Sequence, residues 1–109
     1  MSEFSLAITT TNTRESAQAL AALALEKRLA ACIQITQVES RYIWKDAIQC
    51  DNEFQLQMKI RTSDFVALCA ALKEIHPYEL PEFIRMDIAE ASPAYLEWMN
   101  ASTGPLMES

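Results

Sequence analysis

Four side chains that could do chemistry lie together in the segment 76–82, His-Pro-Tyr-Glu-Leu-Pro-Glu. They are the chain's only histidine, His76, the phenol of Tyr78 and the carboxylates of Glu79 and Glu82. Each proline biases the residue before it toward extended backbone, so the segment is predicted to be a stiff connector. Two interpretations stay open. Either His76 ends a helix while the prolines steer the chain into a strand, or the four side chains form a polar pocket.

A transition-metal site is the first chemistry that such a pocket suggests, because imidazole and carboxylate are common ligands of copper and zinc. The spacing does not favour it: the sequence has no second histidine and no cysteine near His76, which is a weak metal candidate unless subunits pool ligands. Cys32, Cys50 and Cys69 form no C-x-x-C motif and are predicted to be reduced thiols with packing roles. No nucleophile stands at a recognisable catalytic spacing from His76, so no enzyme activity is expected.

Four other side chains are candidates for a ligand site or an interface. Lys59 and the neighbouring Arg61 bring positive charge into a predicted strand, where they are either paired with surface carboxylates or open to an anionic ligand. Tyr42 and Trp44 lie near the end of another predicted strand. Aromatic side chains in such places favour a subunit interface over ligand stacking.

The elements that must position these side chains follow from the hydrophobic periodicity. Phe4, Leu6 and Ile8 alternate with Ser, Ala and Thr and predict a first strand with one buried face. The period then becomes helical. A helix is predicted to begin after Asn12 as its N-cap and to run to about Leu29.

A long hairpin is predicted next. Residues 32–44 form its first strand, with a bulge near Thr36 or Gln37 where the apolar phase changes, residues 45–47 form the turn, and residues 53–61 alternate most cleanly. Thirteen extended residues span about 43 Å at about 3.3 Å each, whereas a compact chain of this length has a radius of gyration of about 13 Å. The hairpin must therefore curl or project. A projecting ribbon is only marginally stable alone, so we expect a homo-oligomer that holds it.

The remaining elements complete the order βαββαβα. A second helix follows Ser63 and stops at Pro77, a fourth strand covers 84–88, and Ser92 with Pro93 opens a last helix. This order describes an α+β fold, a ferredoxin-like βαββαβ sandwich with helices on one face of one antiparallel sheet, extended by a C-terminal helix. The helix-free face carries small and polar groups, which other copies of the chain would cover.

The composition excludes several classes of protein and of binding partner. The chain of 109 residues is expected to be a single domain over 1–109, with 50% apolar and 22% charged residues, which excludes a disordered protein. Its net charge of -6 argues against a nucleic-acid partner. With no basic leader and no apolar window of about 18 residues, we expect a cytoplasmic protein without a membrane partner. The single glycine, Gly104, excludes glycine-rich phosphate loops.

Five segments together resemble the CutA family of divalent-cation-tolerance proteins, in order along the whole chain. They are Leu-Ala-Ala-Cys-Ile at 29–33, Ser-x-Tyr-x-Trp at 40–44, Lys59 in the third strand, the block 76–82, and Tyr-Leu-x-Trp at 95–98. The last two blocks are the most specific. The resemblance implies a cytoplasmic, ferredoxin-like homotrimer similar in architecture to the PII signalling trimers and linked to tolerance of copper and other divalent ions.

The same resemblance implies a ligand cleft between subunits. It falls on six residues: Trp44, Lys59, His76, Tyr78, Glu79 and Glu82. Copper-binding members share a His-His-Pro-Tyr block and a cysteine in the first strand, whereas this chain has Ile75 and, near the cysteine position, Thr9. Asp46 stands where the family has the glycine of its hairpin turn, and Asp tolerates left-handed backbone angles well enough to keep that turn.

The sequence therefore leads to one hypothesis and two alternatives. The hypothesis is a non-catalytic binding or signalling module that responds to divalent metal ions such as copper, with a divalent cation or small ligand at the subunit clefts. One alternative is a protein that buffers copper or zinc directly. The other is a trimeric scaffold for another protein.

Overall fold

Three α-helices and four strands make up the computed structural model, which describes residues 2–105. The elements are β1 (Phe4–Thr11), α1 (Arg14–Glu26), β2 (Cys32–Trp44), β3 (Ala47–Arg61), α2 (Phe65–Lys73), β4 (Ile84–Asp87) and α3 (Pro93–Ser102), with a 3-10 turn at Thr62–Asp64. The strands form one antiparallel sheet in the order β2-β3-β1-β4. The predicted α+β, ferredoxin-like fold with a long hairpin and a C-terminal helix is confirmed.

The main core lies between one face of this sheet and helices α1 and α2. The apolar phase predicted for β3 is confirmed, because Leu56, Met58 and Ile60 are fully buried there. Leu20 of α1 and Leu68 of α2 are likewise inaccessible to solvent. Burying each such side chain is worth about 1.5–3 kcal/mol, so this layer fixes where the helices sit and where their connecting segments emerge.

Phe4 is buried as expected, but beyond it the buried face of β1 is the opposite of the one predicted. Ala7 and Thr9 face α1 and α2 and are almost fully buried, whereas Leu6 and Ile8 are only half-buried. Small side chains on this strand let the helices approach closely, so polarity is a poor guide to its orientation. Leu6 pairs with Met86 and Ile8 with Ile84, and directly opposed residues share a face. Leu6, Ile8, Ile84 and Met86 therefore form an apolar row on the far side of the sheet.

Helix α3 also lies on that far side, so the prediction of a helix-free face is wrong in part. Lys59 points away from the α1 and α2 layer, and its Nζ lies 5.4 Å from the ring centroid of Tyr95 in α3. Met99 of α3 is completely buried. The apolar row remains partly uncovered, since Ile84 and Met86 are 47% and 46% exposed.

Helix α1 begins one residue later and ends earlier than predicted. Thr13 rather than Asn12 is its N-cap, and the Thr13 hydroxyl accepts a hydrogen bond from the Ser16 N–H at 3.0 Å. The helix stops before Leu29 because Arg28 adopts a left-handed conformation, φ 57°. From there the Arg28 guanidinium donates to the carbonyls at the end of α3.

The only glycine in the chain has a specific role at this junction. Gly104 has φ +76°, and its N–H donates to the carbonyl of Arg28 at 3.0 Å. A Cβ at this position would collide with the guanidinium of Arg61, which is held by Asp64 at 3.1 Å. Glycine is therefore needed for both backbone angle and space.

We expect Gly104→Ala to lower the free energy of unfolding by about 1–2 kcal/mol, because alanine is strained at positive φ and displaces the Arg61 ion pair. Urea denaturation measures this change. Asn100→Ala, an exposed change within α3, is the control and should stay within about 0.5 kcal/mol of the wild type. Equal midpoints for the two variants would contradict the role given to Gly104.

The β2–β3 hairpin runs without interruption from the Cys32–Lys59 pair to the Trp44–Ala47 pair, so the bulge expected near Thr36 or Gln37 is wrong. The apolar phase changes there because the hairpin extends beyond α1 and α2. Its side chains no longer pack against a core that would require one face to be apolar. The described chain measures 53 × 27 × 21 Å. The hairpin accordingly projects from the body of the domain.

A two-residue turn closes the hairpin. Lys45 and Asp46 have φ values of 50° and 64°, the signature of a type I′ turn, while Ala47 already pairs with Trp44 and belongs to the strand rather than to the predicted turn. The expectation that Asp46 sustains a turn in the absence of glycine is confirmed.

No helix within residues 2–105 is both long and apolar enough to cross a membrane.

Candidate functional site

A cleft of about 840 Å³ opens between the outer half of the hairpin and the connector that follows α2. We call it the hairpin cleft. Its lining comes from the end of β1, from both hairpin strands and from the connector: Thr10, Asn12, Ser40, Arg41, Tyr42, Trp44, Asp51, Asn52, Glu53, Pro77, Tyr78, Glu79, Leu80 and Glu82. The volume falls in the range of small-molecule sites.

His76 holds the connector in place from behind the cleft. Its ring is 9% exposed, and Nδ1 accepts a hydrogen bond from the Tyr78 N–H at 3.1 Å. The neutral ring therefore carries its proton on Nε2, which lies 3.0 Å from the Thr10 carbonyl oxygen and 3.3 Å from the Thr9 hydroxyl. Both nitrogens are engaged within the chain, so His76 acts as a positioning residue.

Burial lowers the pKa of His76 below its ordinary value of 6.5, although the Thr10 carbonyl and the charge of Glu53 oppose this. The unfolded chain therefore takes up a proton at higher pH than the folded one does. The stability that neutral His76 contributes is complete above pH 6.5 and is lost as the pH falls through and below that value.

We expect the melting temperature to decrease as the pH is lowered from about 7.5 to about 5.5. The decrease should be smaller in His76→Gln, because glutamine does not titrate. Melting curves followed by circular dichroism across this range make the comparison. If the two proteins lost stability equally as the pH is lowered, protonation of His76 would not destabilise the fold, and this explanation would be wrong.

Tyr78 ties the connector to the hairpin. Its hydroxyl donates to Oε2 of Glu53, a carboxylate that is only 7% exposed. Burial and this hydrogen bond raise the pKa of Tyr78 well above its usual 10, so the phenol stays protonated and remains a donor. The other oxygen of Glu53 accepts no hydrogen bond from residues 2–105 and is open to solvent, and the residue lines the cleft.

A second tyrosine and carboxylate pair lies further out on the hairpin. The Tyr42 hydroxyl donates to Asp51, and this bond raises the pKa of Tyr42. On the connector side, partial desolvation raises the pKa of Glu82, with a further contribution from the nearby charge of Glu53. The cleft is therefore acidic, and its two phenols are neutral donors to its walls.

The structure brings most of the predicted site residues together. Trp44, Tyr78, Glu79 and Glu82 line the hairpin cleft, and His76 sits directly behind it. Lys59 does not join them within one subunit. It lies six residues along β3 from Glu53, about 20 Å at about 3.3 Å per residue, and packs on α3. That Lys59 contributes at a subunit boundary stays a prediction.

Sequence reasoning placed Trp44 in the cleft but missed the other residues of its hairpin side. Asp51 and Glu53 are two positions apart and so lie on one face of a strand, which is the one sequence signal that could have suggested a paired acidic wall. Nothing in the local sequence shows that Glu53 meets Tyr78, because the two residues approach only in the folded chain.

The residues of one subunit do not fit a copper or zinc centre. Within residues 2–105 no three His, Cys, Asp or Glu side chains converge on a point where a metal ion could sit. Both nitrogens of His76 are already engaged, and the free thiols Cys32, Cys50 and Cys69 do not line the cleft. Its carboxylates are spread along the walls.

Comparison with known proteins gives a consistent result. The family model described as "CutA1 divalent ion tolerance protein" matches residues 5–102, a span that includes every residue lining the hairpin cleft. A curated relative from Encephalitozoon cuniculi (strain GB-M1), "Probable divalent-cation tolerance protein cutA homolog", is 43% identical over 89 residues, which covers 82% of this chain and 78% of the relative.

Solved structures agree. CutA1 from Oryza sativa superposes with a TM-score of 0.91 at 34% identity and covers 94% of this chain and 95% of its own. The "Periplasmic divalent cation tolerance protein CutA" from Archaeoglobus fulgidus gives a TM-score of 0.89 at 27% identity, covering 91% and 97%.

Proposed function

The chain belongs to the CutA1 divalent ion tolerance family, and from that premise we propose that it is a non-catalytic binding or signalling module in the response to divalent metal ions such as copper. In this proposal it works in the cytoplasm as a homotrimer, and the hairpin cleft receives its ligand. The observation that carries the proposal is the acidic wall of the cleft, where a nine-tenths buried residue, Glu53, has one carboxylate oxygen without a hydrogen-bond partner among residues 2–105.

The absence of a catalytic step is supported by the state of His76. A general base needs a free nitrogen within reach of a substrate, and both nitrogens of this ring are engaged by the chain itself. Its role is to hold Tyr78 and the connector in position. The cleft lining holds hydroxyls, amides and carboxylates suited to holding a ligand.

Assembly into a homo-oligomer is supported by the uncovered apolar surface. Ile43 and Ile48 on the hairpin are 76% and 82% exposed, and two members of the apolar row on the sheet, Ile84 and Met86, are nearly half-exposed. Monomeric proteins rarely leave such contiguous apolar surface in water, and a two-stranded ribbon is marginal without neighbours. Three copies, the number that the family resemblance implies, would cover both surfaces.

The cytoplasmic location is supported by three free cysteines, which fit a reducing compartment. The relative from Archaeoglobus fulgidus is described as periplasmic, so the compartment needs a direct test. Cell fractionation with an antibody to the protein should place it in the cytoplasmic fraction. Recovery in a secreted or periplasmic fraction would overturn this part of the proposal.

Copper tolerance in cells tests the function. In a host strain lacking the gene, the wild-type chain should restore growth on graded copper, whereas Glu82→Gln and Trp44→Leu in the cleft should not. Glu26→Gln and Trp98→Leu make the same chemical changes outside the cleft and should restore growth fully. Equal rescue by all four variants would show that the cleft is not the functional site.

Direct metal buffering has a separate signature. Titration of metal-free protein with Cu(II) and Zn(II) should show no sub-micromolar site that depends on His76. Tight binding that disappears in His76→Gln, with the fold retained, would favour a buffer protein over a signalling module. Copper rescue that survives Glu82→Gln and Trp44→Leu, but fails when the exposed hairpin residues Ile43 and Ile48 are replaced in a protein that keeps its assembly, would instead indicate a scaffold.

A further inference from the structure

The lining of the hairpin cleft is aromatic and acidic at once. Tyr42, Trp44 and Tyr78 contribute rings, and four carboxylates, those of Asp51, Glu53, Glu79 and Glu82, are distributed among them. Arg41 is the one basic side chain among these lining residues, and its guanidinium is engaged by Glu39 at 3.3 Å. The cleft therefore selects for positive charge that also has apolar surface to bury.

The spacing of the carboxylates separates two kinds of cation. A divalent metal ion needs several ligand atoms converging within about 2–2.6 Å of one point, and no such group exists within residues 2–105. An organic cation with its charges spread along a chain needs the opposite, carboxylates set apart along a groove. The hairpin cleft has the second arrangement.

The aromatic walls supply the other half of the recognition. Ammonium groups are attracted to the faces of aromatic rings within about 6 Å of the centroid, and tryptophan is the strongest partner. The ring of Trp44 already accepts such a group, because the Nζ of Lys45 lies 6.0 Å from its centroid. Leu80, 72% exposed at the edge of the cleft, offers apolar surface to methylene groups.

Glu53 points to a ligand independently of the other acidic residues. Its side chain is nine-tenths buried, yet only one oxygen has a hydrogen-bond partner among the described residues, the hydroxyl of Tyr78. Its second oxygen is open to solvent at a residue that lines the cleft, so it is available to accept a hydrogen bond from an ammonium group.

From these observations we infer that the hairpin cleft binds an aliphatic polyamine, a flexible carbon chain with two or more ammonium groups. The inference rests on the proposed function, since it names the ligand class of the same site. The terminal ammonium groups would lie against Glu53 and against the Glu79 and Glu82 side of the connector. The methylene chain between them would pack on Trp44 and Tyr78.

Isothermal titration of the intact oligomer with spermidine tests the inference. Saturable binding is expected, weakened at least about tenfold by Trp44→Leu and by Glu53→Gln, since each removes one charge-dependent contact. Gln can still accept the Tyr78 hydroxyl, so Glu53→Gln removes charge with little change of shape. Glu82→Gln, on an exposed side chain, is a third cleft variant that should fold normally and weaken binding severalfold.

Matched controls separate the site from general electrostatic attraction. Glu26→Gln and Trp98→Leu should bind spermidine within about twofold of the wild type, and Mg(II) at equal ionic strength should not displace it. Circular dichroism and sedimentation confirm that each variant keeps its fold and assembly. No saturable spermidine binding, or equal weakening in the controls, would overturn the inference.

A parallel Cu(II) titration distinguishes this failure from failure of the proposed function. Copper binding that the cleft variants abolish, in the absence of spermidine binding, would overturn the polyamine assignment and leave the divalent-ion module standing. If neither spermidine nor Cu(II) binds, and the cleft variants still restore growth on copper, both the polyamine assignment and the proposed function would be overturned.

Discussion

Replacing His76 with alanine is expected to lower the free energy of unfolding by about 3 kcal/mol. The change leaves the Tyr78 N–H and the Thr10 carbonyl without their partner and opens a cavity beside Phe83, whose ring centroid lies 5.9 Å from that of His76. Denaturant unfolding with the wild-type chain as reference measures the loss.

Two conservative changes at the same position show which hydrogen bond matters more. His76→Asn places an acceptor near the position of Nδ1, and His76→Gln places a donor near the position of Nε2. Each should recover part of the lost stability. A loss below about 0.5 kcal/mol for alanine would show that the connector does not depend on His76.

Placing two lysines in the apolar row, Ile84→Lys with Met86→Lys, is expected to dissociate the assembly. Both side chains are nearly half-exposed in the single chain and become buried if another copy covers the sheet, where unpaired ammonium groups are very costly. Sedimentation equilibrium should give about 37 kDa for the wild type, three chains of 12.3 kDa, and 12.3 kDa for the variant.

Val66→Lys is the control for this experiment. Val66 is 79% exposed on α2, on the opposite side of the molecule from the apolar row, so this variant should remain assembled. A wild-type protein that sediments as a monomer, or a double-lysine variant that keeps the wild-type mass, would contradict the interface.

The parts of the fold that the sequence predicted are those in which packing and periodicity agree. Strand β3 alternates cleanly because its alternate residues face the α1 and α2 layer, and the limits of β2 follow from its unbroken run of extended residues. Strand β1 was predicted with the wrong face buried, because close helix packing there requires Ala7 and Thr9 rather than Leu6 and Ile8. Small residues carry little hydrophobic signal, so a single sequence cannot show which face they take.

The candidate site divides in the same way. The connector side was predictable, because His76, Tyr78 and Glu82 lie within one stiff segment. On the hairpin side only Trp44 was predicted, because the pairing of Tyr78 with Glu53 joins residues 25 positions apart and depends on how the connector crosses the end of the sheet. Periodicity indicates which face of a strand a residue takes, and it does not indicate which loop will reach that face.

The hairpin cleft is proposed to be the cation-binding site of this protein. Backbone amide NMR spectra of the deuterated oligomer, recorded as spermidine is added, test it most directly. Chemical-shift changes are expected to saturate and to cluster at residues 40–44 and 51–53 and at the non-proline residues of 77–82, with the exposed surfaces of α1 and α2 unchanged. Changes that fail to saturate, or that cluster away from these three segments, would contradict it.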